Sequence, residues 1–162
     1  MVFTNAINGS DITGSHILTL FYRGAELPQS IFGEFLSIPA TFTQLSPVSY
    51  IEANSILGPG ADRGFGQLFG ASAFNGGVDQ YMNAFRQWNE YTLAVKDSLF
   101  GAVLAFTPII DHQILVGRGN GGNLMDPPRG NYAAVQIQSQ MTSGAFDPPS
   151  PLLSARQRLL DQ

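Results

Sequence analysis

The clearest pattern in the chain runs over residues 78–99. Val78, Tyr81, Met82, Phe85, Trp88 and Val95 recur three, four and seven apart, and Gln80, Asn83, Arg86, Gln87, Asn89 and Glu90 fill the positions between. That period predicts a long amphipathic helix with one apolar stripe. A shorter helix is predicted where Pro28 precedes Ile31, Phe32, Phe35 and Leu36, with Pro39 ending it. Ser46-Pro47 reads as a cap followed by a first-turn proline. Val48, Ile51, Ile56 and Leu57 then give a weaker apolar face that Gly58-Pro59-Gly60 stops.

The strand signals are shorter. Residues 16–22, HILTLFY, form an apolar β-rich run bounded by glycines and predict a buried strand. Residues 66–74 read as a strand loosened by glycine, with a turn at Asn75-Gly76-Gly77. The near-continuous apolar run 100–106 predicts a strand covered on both faces and ended by Thr107-Pro108. Ile114-Leu115-Val116 reads as a short edge strand or the end of a turn. Over residues 132–140 the pattern becomes alternating, with Val135 and Ile137 on one side and Gln136, Gln138 and Gln140 on the other. Strands and helices mix, yet the last strands adjoin with no helix between them. That order predicts an α+β fold, an antiparallel β-sheet with helices packed on one face, ferredoxin-like in outline. Residues 1–145 are expected to form this single domain. Phe146-Asp147-Pro148-Pro149-Ser150-Pro151 breaks the chain, and residues 152–162 have the composition of a terminal helix.

Composition narrows the function. Charged residues make up only 12% of the 162 positions, against 44% hydrophobic, so the surface is polar but sparsely charged, or partly meant to be covered. The net charge is −4 and the eight basic residues are scattered, which excludes a phosphate-backbone footprint and hence nucleic acid as a partner. No apolar run approaches the roughly 18 residues of a membrane helix, and Met1-Val2-Phe3-Thr4-Asn5 lacks the basic and apolar regions of a signal peptide. The absence of cysteine removes thiolate metal sites, disulfides and cysteine nucleophiles. Asn8-Gly9-Ser10 is a glycosylation sequon that matters only in a secreted chain, and an ordinary turn otherwise.

Few motifs carry chemistry. Gly117-Arg118-Gly119-Asn120-Gly121-Gly122 fits G-x-G-x-x-G. A dinucleotide turn also needs a helix to follow, whose N-terminal amides hold the pyrophosphate, and an acid about 20 residues on. Here Pro127, Pro128 and Gly130 follow instead, and the next acid after Asp126 is Asp147, so the stretch reads as a glycine-rich connection. Asp111-His112 is an acid–base pair in composition. Next to Pro108, however, the segment reads as a turn in which Asp111 bonds backbone. The two histidines are far apart in sequence, and no metal or nucleophile-elbow motif occurs. No residue is therefore assigned a catalytic, metal or cofactor-binding role. The glutamine row remains. It is either a solvated face or the lining of a ligand cleft, since amides orient a polar substrate without charge.

Several stretches together are similar to the substrate-domain half of fungal FAD-linked oxidases, the berberine-bridge-enzyme-like branch of the vanillyl-alcohol-oxidase (PCMH-type) superfamily. They are Ile38-Pro39-Ala40, residues 62–72 (DRGFGQLFGAS), Phe85-Arg86-Gln87-Trp88, residues 100–109 (FGAVLAFTPI), residues 117–123 with Asp126-Pro127-Pro128, and residues 132–137 (YAAVQI). The resemblance implies an oxidoreductase in which a separate FAD domain of the parent chain holds the cofactor. This α+β portion would lay its sheet over the flavin and contact a small-molecule substrate, with Gln136 and Gln138 as the expected contacts. It also implies an exported parent. The chain carries no flavin-attachment motif, so it is expected to be a fragment that is inactive alone. The alternative is a free-standing, non-enzymatic α+β module for binding or dimerisation.

Overall fold

The computed structural model describes residues 1–56, 66–122 and 124–141. The stop at Gly58-Pro59-Gly60, residues 62–65 of the resemblance, and the break and terminal helix over 146–162 lie outside the described residues. The chain divides into two compact units, residues 1–18 with 64–162, and residues 19–63.

The larger unit is built on a five-stranded, wholly antiparallel sheet: β1 (Val2–Asn8), β2 (Asp11–Ile17), β3 (Gln67–Phe74), β4 (Leu99–Ile109) and β5 (Tyr132–Met141), in the order β2-β1-β4-β5-β3. With its helices it forms an α+β fold, as the element order predicts. Three strands agree closely with the sequence reading. The two N-terminal ones differ: the strand ends at Ile17, and residues 18–22 are not strand. β1 and β2 instead form a hairpin in which Asn8 faces Asp11 and Gly9 takes φ 62°, the left-handed geometry a tight turn needs. Asn8 of the sequon is exposed beside that turn.

The long helix α3 (Val78–Val95) packs on one sheet face. Trp88, Tyr91 and Val95 are buried there with Ile7, Ala102, Leu104, Phe106, Val135 and Ile137, and Tyr81, Ala84 and Phe85 flank them. Val78 and Met82 are exposed, unlike the predicted stripe. At about 100° per residue, Met82 turns well away from the line through Tyr81, Phe85, Trp88 and Val95. A short 3-10 turn, Lys96–Ser98, ends the helix before Leu99, which already belongs to β4. A register shift between Leu99 and Gly101 lets both Leu99 and Ala102 reach the core despite their odd spacing. Beyond it β4 alternates, with Leu104 and Phe106 buried and Val103 and Ala105 half-buried, so only one face is fully covered. β4 also continues through Pro108 to Ile109.

Residues 111–119 depart most from expectation. They form α4 (Asp111–Gly119), which carries Ile114-Leu115-Val116 as helix and not as strand. Its entry is fixed by Gln113, whose Oε1 accepts from the Ile110 N–H at 3.1 Å.

In the smaller unit, α1 (Gln29–Leu36) starts where Pro28 predicts. The Pro28 carbonyl accepts from the Ile31 and Phe32 N–H groups, and Phe32 is buried with Tyr22 edge-on at 5.9 Å. α2 (Tyr50–Ile56) begins later than Ser46-Pro47 suggests. Ser49 and Glu52 supply the real start: the Ser49 N–H donates to Glu52 Oε2 at 2.7 Å and the Glu52 N–H to Ser49 Oγ at 3.2 Å. This reciprocal capping box holds the Glu52 carboxyl below its usual range. Val48 and Ile51 are exposed, so they form no buried face.

Candidate functional site

The glycine motif resolves into a helix ending. Gly117, Arg118 and Gly119 are the last turn of α4, and Gly121 has φ 99°. The Gly122 N–H donates to the Gly117 carbonyl at 2.8 Å and the Gly121 N–H to the Arg118 carbonyl at 3.1 Å. Those are the two bonds of a Schellman cap. The amides a pyrophosphate would need are thus spent on the helix's own carbonyls, at the end of the helix that carries partial negative charge. No dinucleotide phosphate fits this turn.

Asp111 is not in a free turn. It opens α4, and both its oxygens receive Arg129: Nε to Oδ1 and Nη2 to Oδ2, each at 2.6 Å. The Gly130 N–H adds a bond at 2.8 Å, and the Asp111 N–H donates to Asn131 Oδ1 at 2.9 Å. Arg129, then the Gly130 amide, hold the carboxyl down at about 2, from an ordinary 3.8. The group clamps the start of β5 to α4 and is not a general base at neutral pH. The folded-state value is the depressed one, so its stabilisation is present above about 3.8 and is lost as pH falls through about 2. Asp111→Asn is expected to lower stability at neutral pH and to flatten the loss of stability between those two values. Chemical denaturation at a series of pH values checks it, and an unchanged acid limb would refute it. His16 packs edge-on against Phe3 at 4.9 Å and Phe85 at 5.9 Å, which is a packing role.

The glutamine column of β5 survives as the best candidate. Val135 and Ile137 enter the core, so Gln136, Gln138 and Gln140 project from the sheet face opposite α3. Register sets their neighbours. Gln136 lies between Ala105 and Ala71, Gln138 between Val103 and Phe69, and Gln140 between Gly101 and Gln67. The column therefore stands among small or apolar positions. At Gly101 the vacancy is used, because the Gln140 amide oxygen lies where a Cβ would come within 2.5 Å of it. Gln136 is exposed, but Gln138 is only 7% exposed and its Nε2 donates to Gln67 Oε1 at 2.8 Å. This pairing holds the Gln138 amide in one orientation. A fourth amide, Gln67, joins the row from β3 and is not apparent from sequence, since only strand pairing brings it there.

The face offers amide donors and acceptors beside small residues and Phe69, and among the described residues no group beside the amides exchanges protons near neutral pH. It can orient an uncharged polar or planar ligand.

No protein-family model matches the chain, and no curated protein or solved structure matches it either.

Proposed function

We propose that this chain is the substrate-binding portion of an FAD-linked oxidoreductase of the berberine-bridge-like type, with the sheet face bearing Gln136 and Gln138 laid over the flavin ring and substrate. The observation that supports it is the amide column of β5, flanked by Ala71, Phe69 and Gln67 on β3 and by Ala105, Val103 and Gly101 on β4. Hydride chemistry would belong to the flavin, and the protein would supply position. The dinucleotide tail would be held by the FAD domain of the parent, because the described residues provide no phosphate cradle. The isolated chain is then catalytically silent.

Flavin fluorescence quenching on the purified chain tests this reading. Riboflavin is expected to bind weakly, and FAD no more tightly. Gln136→Ala or Gln138→Ala is expected to weaken binding about threefold to tenfold, the worth of one hydrogen bond. No saturable quenching, or FAD binding far tighter than riboflavin, would overturn it.

A second reading rests on Phe69, which is 55% exposed beside Gln138 on the same face. A free-standing module would bury this face against a second copy. Sedimentation of the same sample separates the two, since a dimer that excludes riboflavin supports only the module.

A further inference from the structure

A different cavity, of about 270 Å³, opens between α4 and the segment that returns to β5. Ile109, Ile114, Pro127 and Tyr132 give it an apolar lining with one aromatic ring. Gln113 and Arg118, at the first and last turns of α4, both line it and bring donors. This volume lies just under that of drug-sized sites and suits a fragment of one ring.

The donors are only partly used. Arg118 Nη2 donates to Asp126 Oδ1 and to the Pro127 carbonyl, both at 3.0 Å. Its Nη1 and Nε have no partner among the described residues. Gln113 spends its Oε1 on the Ile110 N–H, which leaves its NH₂ unpaired among the described residues. The counter-ion is weakly held: Asp126 is 81% exposed and the Arg118 side chain 41%. An exposed pair of this kind contributes little and exchanges readily. Asp126 thus occupies Arg118 with the carboxylate chemistry that an incoming acid would supply.

One lining position of α4 carries no side chain. Gly117 lines the cavity within helical backbone, and a Cβ built there meets nothing within 4 Å. The fold itself does not require glycine at that point.

We propose that this cavity binds a small aromatic monocarboxylate, its carboxylate on Arg118 and the Gln113 amide and its ring against Tyr132 and Ile114. A planar carboxylate can take over the guanidinium edge that Asp126 holds through Nη2, whereas a phosphate would bring about twice the charge against apolar walls. The proposal is independent of the flavin reading, because it uses none of the glutamine column.

The test is a fluorine NMR titration of 4-fluorobenzoate with the purified chain. Saturable binding with a Kd on the order of 1 mM is expected for a ligand of this size. Gly117→Leu, which fills the cavity on helical backbone, and Arg118→Gln are each expected to weaken it at least about tenfold. Asp126→Asn, which removes the internal competitor, is expected to strengthen it severalfold. Circular dichroism of each variant reports the fold. If Arg118→Gln loosens the segment, Gly117→Leu still decides. Absence of saturable binding, full binding by Gly117→Leu, or equally effective competition by inorganic phosphate would overturn the proposal.

Discussion

Trp88→Ala is expected to remove about 3–5 kcal/mol of stability, a large part of the roughly 5–15 kcal/mol that holds a domain together. Trp88 is 1% exposed, at the centre of the helix face that seals the sheet. Its ring meets Phe85 at 5.8 Å. Alanine would leave a cavity that the strands beneath cannot close, because their positions are fixed by pairing on both sides of β4. Melting should fall by about 6–20 °C. Trp88→Phe provides the contrast. The buried indole Nε1 has no hydrogen-bond partner among the described residues, so phenylalanine discards an unsatisfied donor while keeping most of the apolar bulk. Its expected loss is about 1 kcal/mol or less. Urea unfolding followed by far-ultraviolet circular dichroism measures both. Equal midpoints for Trp88→Ala and the parent chain would show that α3 does not seal the sheet in this way.

Leu104→Ala is expected to lose about 2–5 kcal/mol. Leu104 is 1% exposed on the central strand, paired with Phe3 of β1 and Ile137 of β5. Its neighbour Val103 faces the other side of the sheet and is half-buried, so Val103→Ala should lose less than half as much. The comparison tests register directly. A slip of one residue would exchange the two faces and reverse the order of the two losses. Denaturant midpoints at constant slope read it out.

The elements legible in the sequence are those whose burial is one-sided and regular. α3 and β5 announced themselves by period, and Pro28 marked the start of α1. β1 did not, because its inward positions are Phe3, Asn5 and Ile7, and the buried Asn5 breaks the apolar alternation. β2 points Ile12, Gly14 and His16 the same way, so its pattern is weaker than that of the apolar residues 18–22 that follow it. α4 was hidden by length. Three apolar residues in a row resemble a strand as much as a helix, and its glycine cap resembled a nucleotide turn. The glutamine parity of the candidate site was visible along one strand. The contribution of Gln67 and the flanking alanines required strand order, and the cavity beside α4 required the path of a loop.

Strand order also governs when the sheet can exist. Val2 pairs with Ala105 and Gln67 with Gln140, so almost every ladder joins distant parts of the chain, and β3 pairs with β5 alone. During synthesis at about 5–20 residues per second, α3 emerges at least about 2 s before β5 is complete, and β3 and β1 earlier still. Before β5 arrives, only the β2-β1-β4 part of the described sheet can pair, and the apolar stripe of α3 has an unfinished sheet to cover. Folding is thus a late event controlled by the arrival of Tyr132–Met141, slow in the manner of chains dominated by long-range contacts. A nascent chain halted before Tyr132 should remain protease-sensitive throughout β3 and depend on chaperones for solubility.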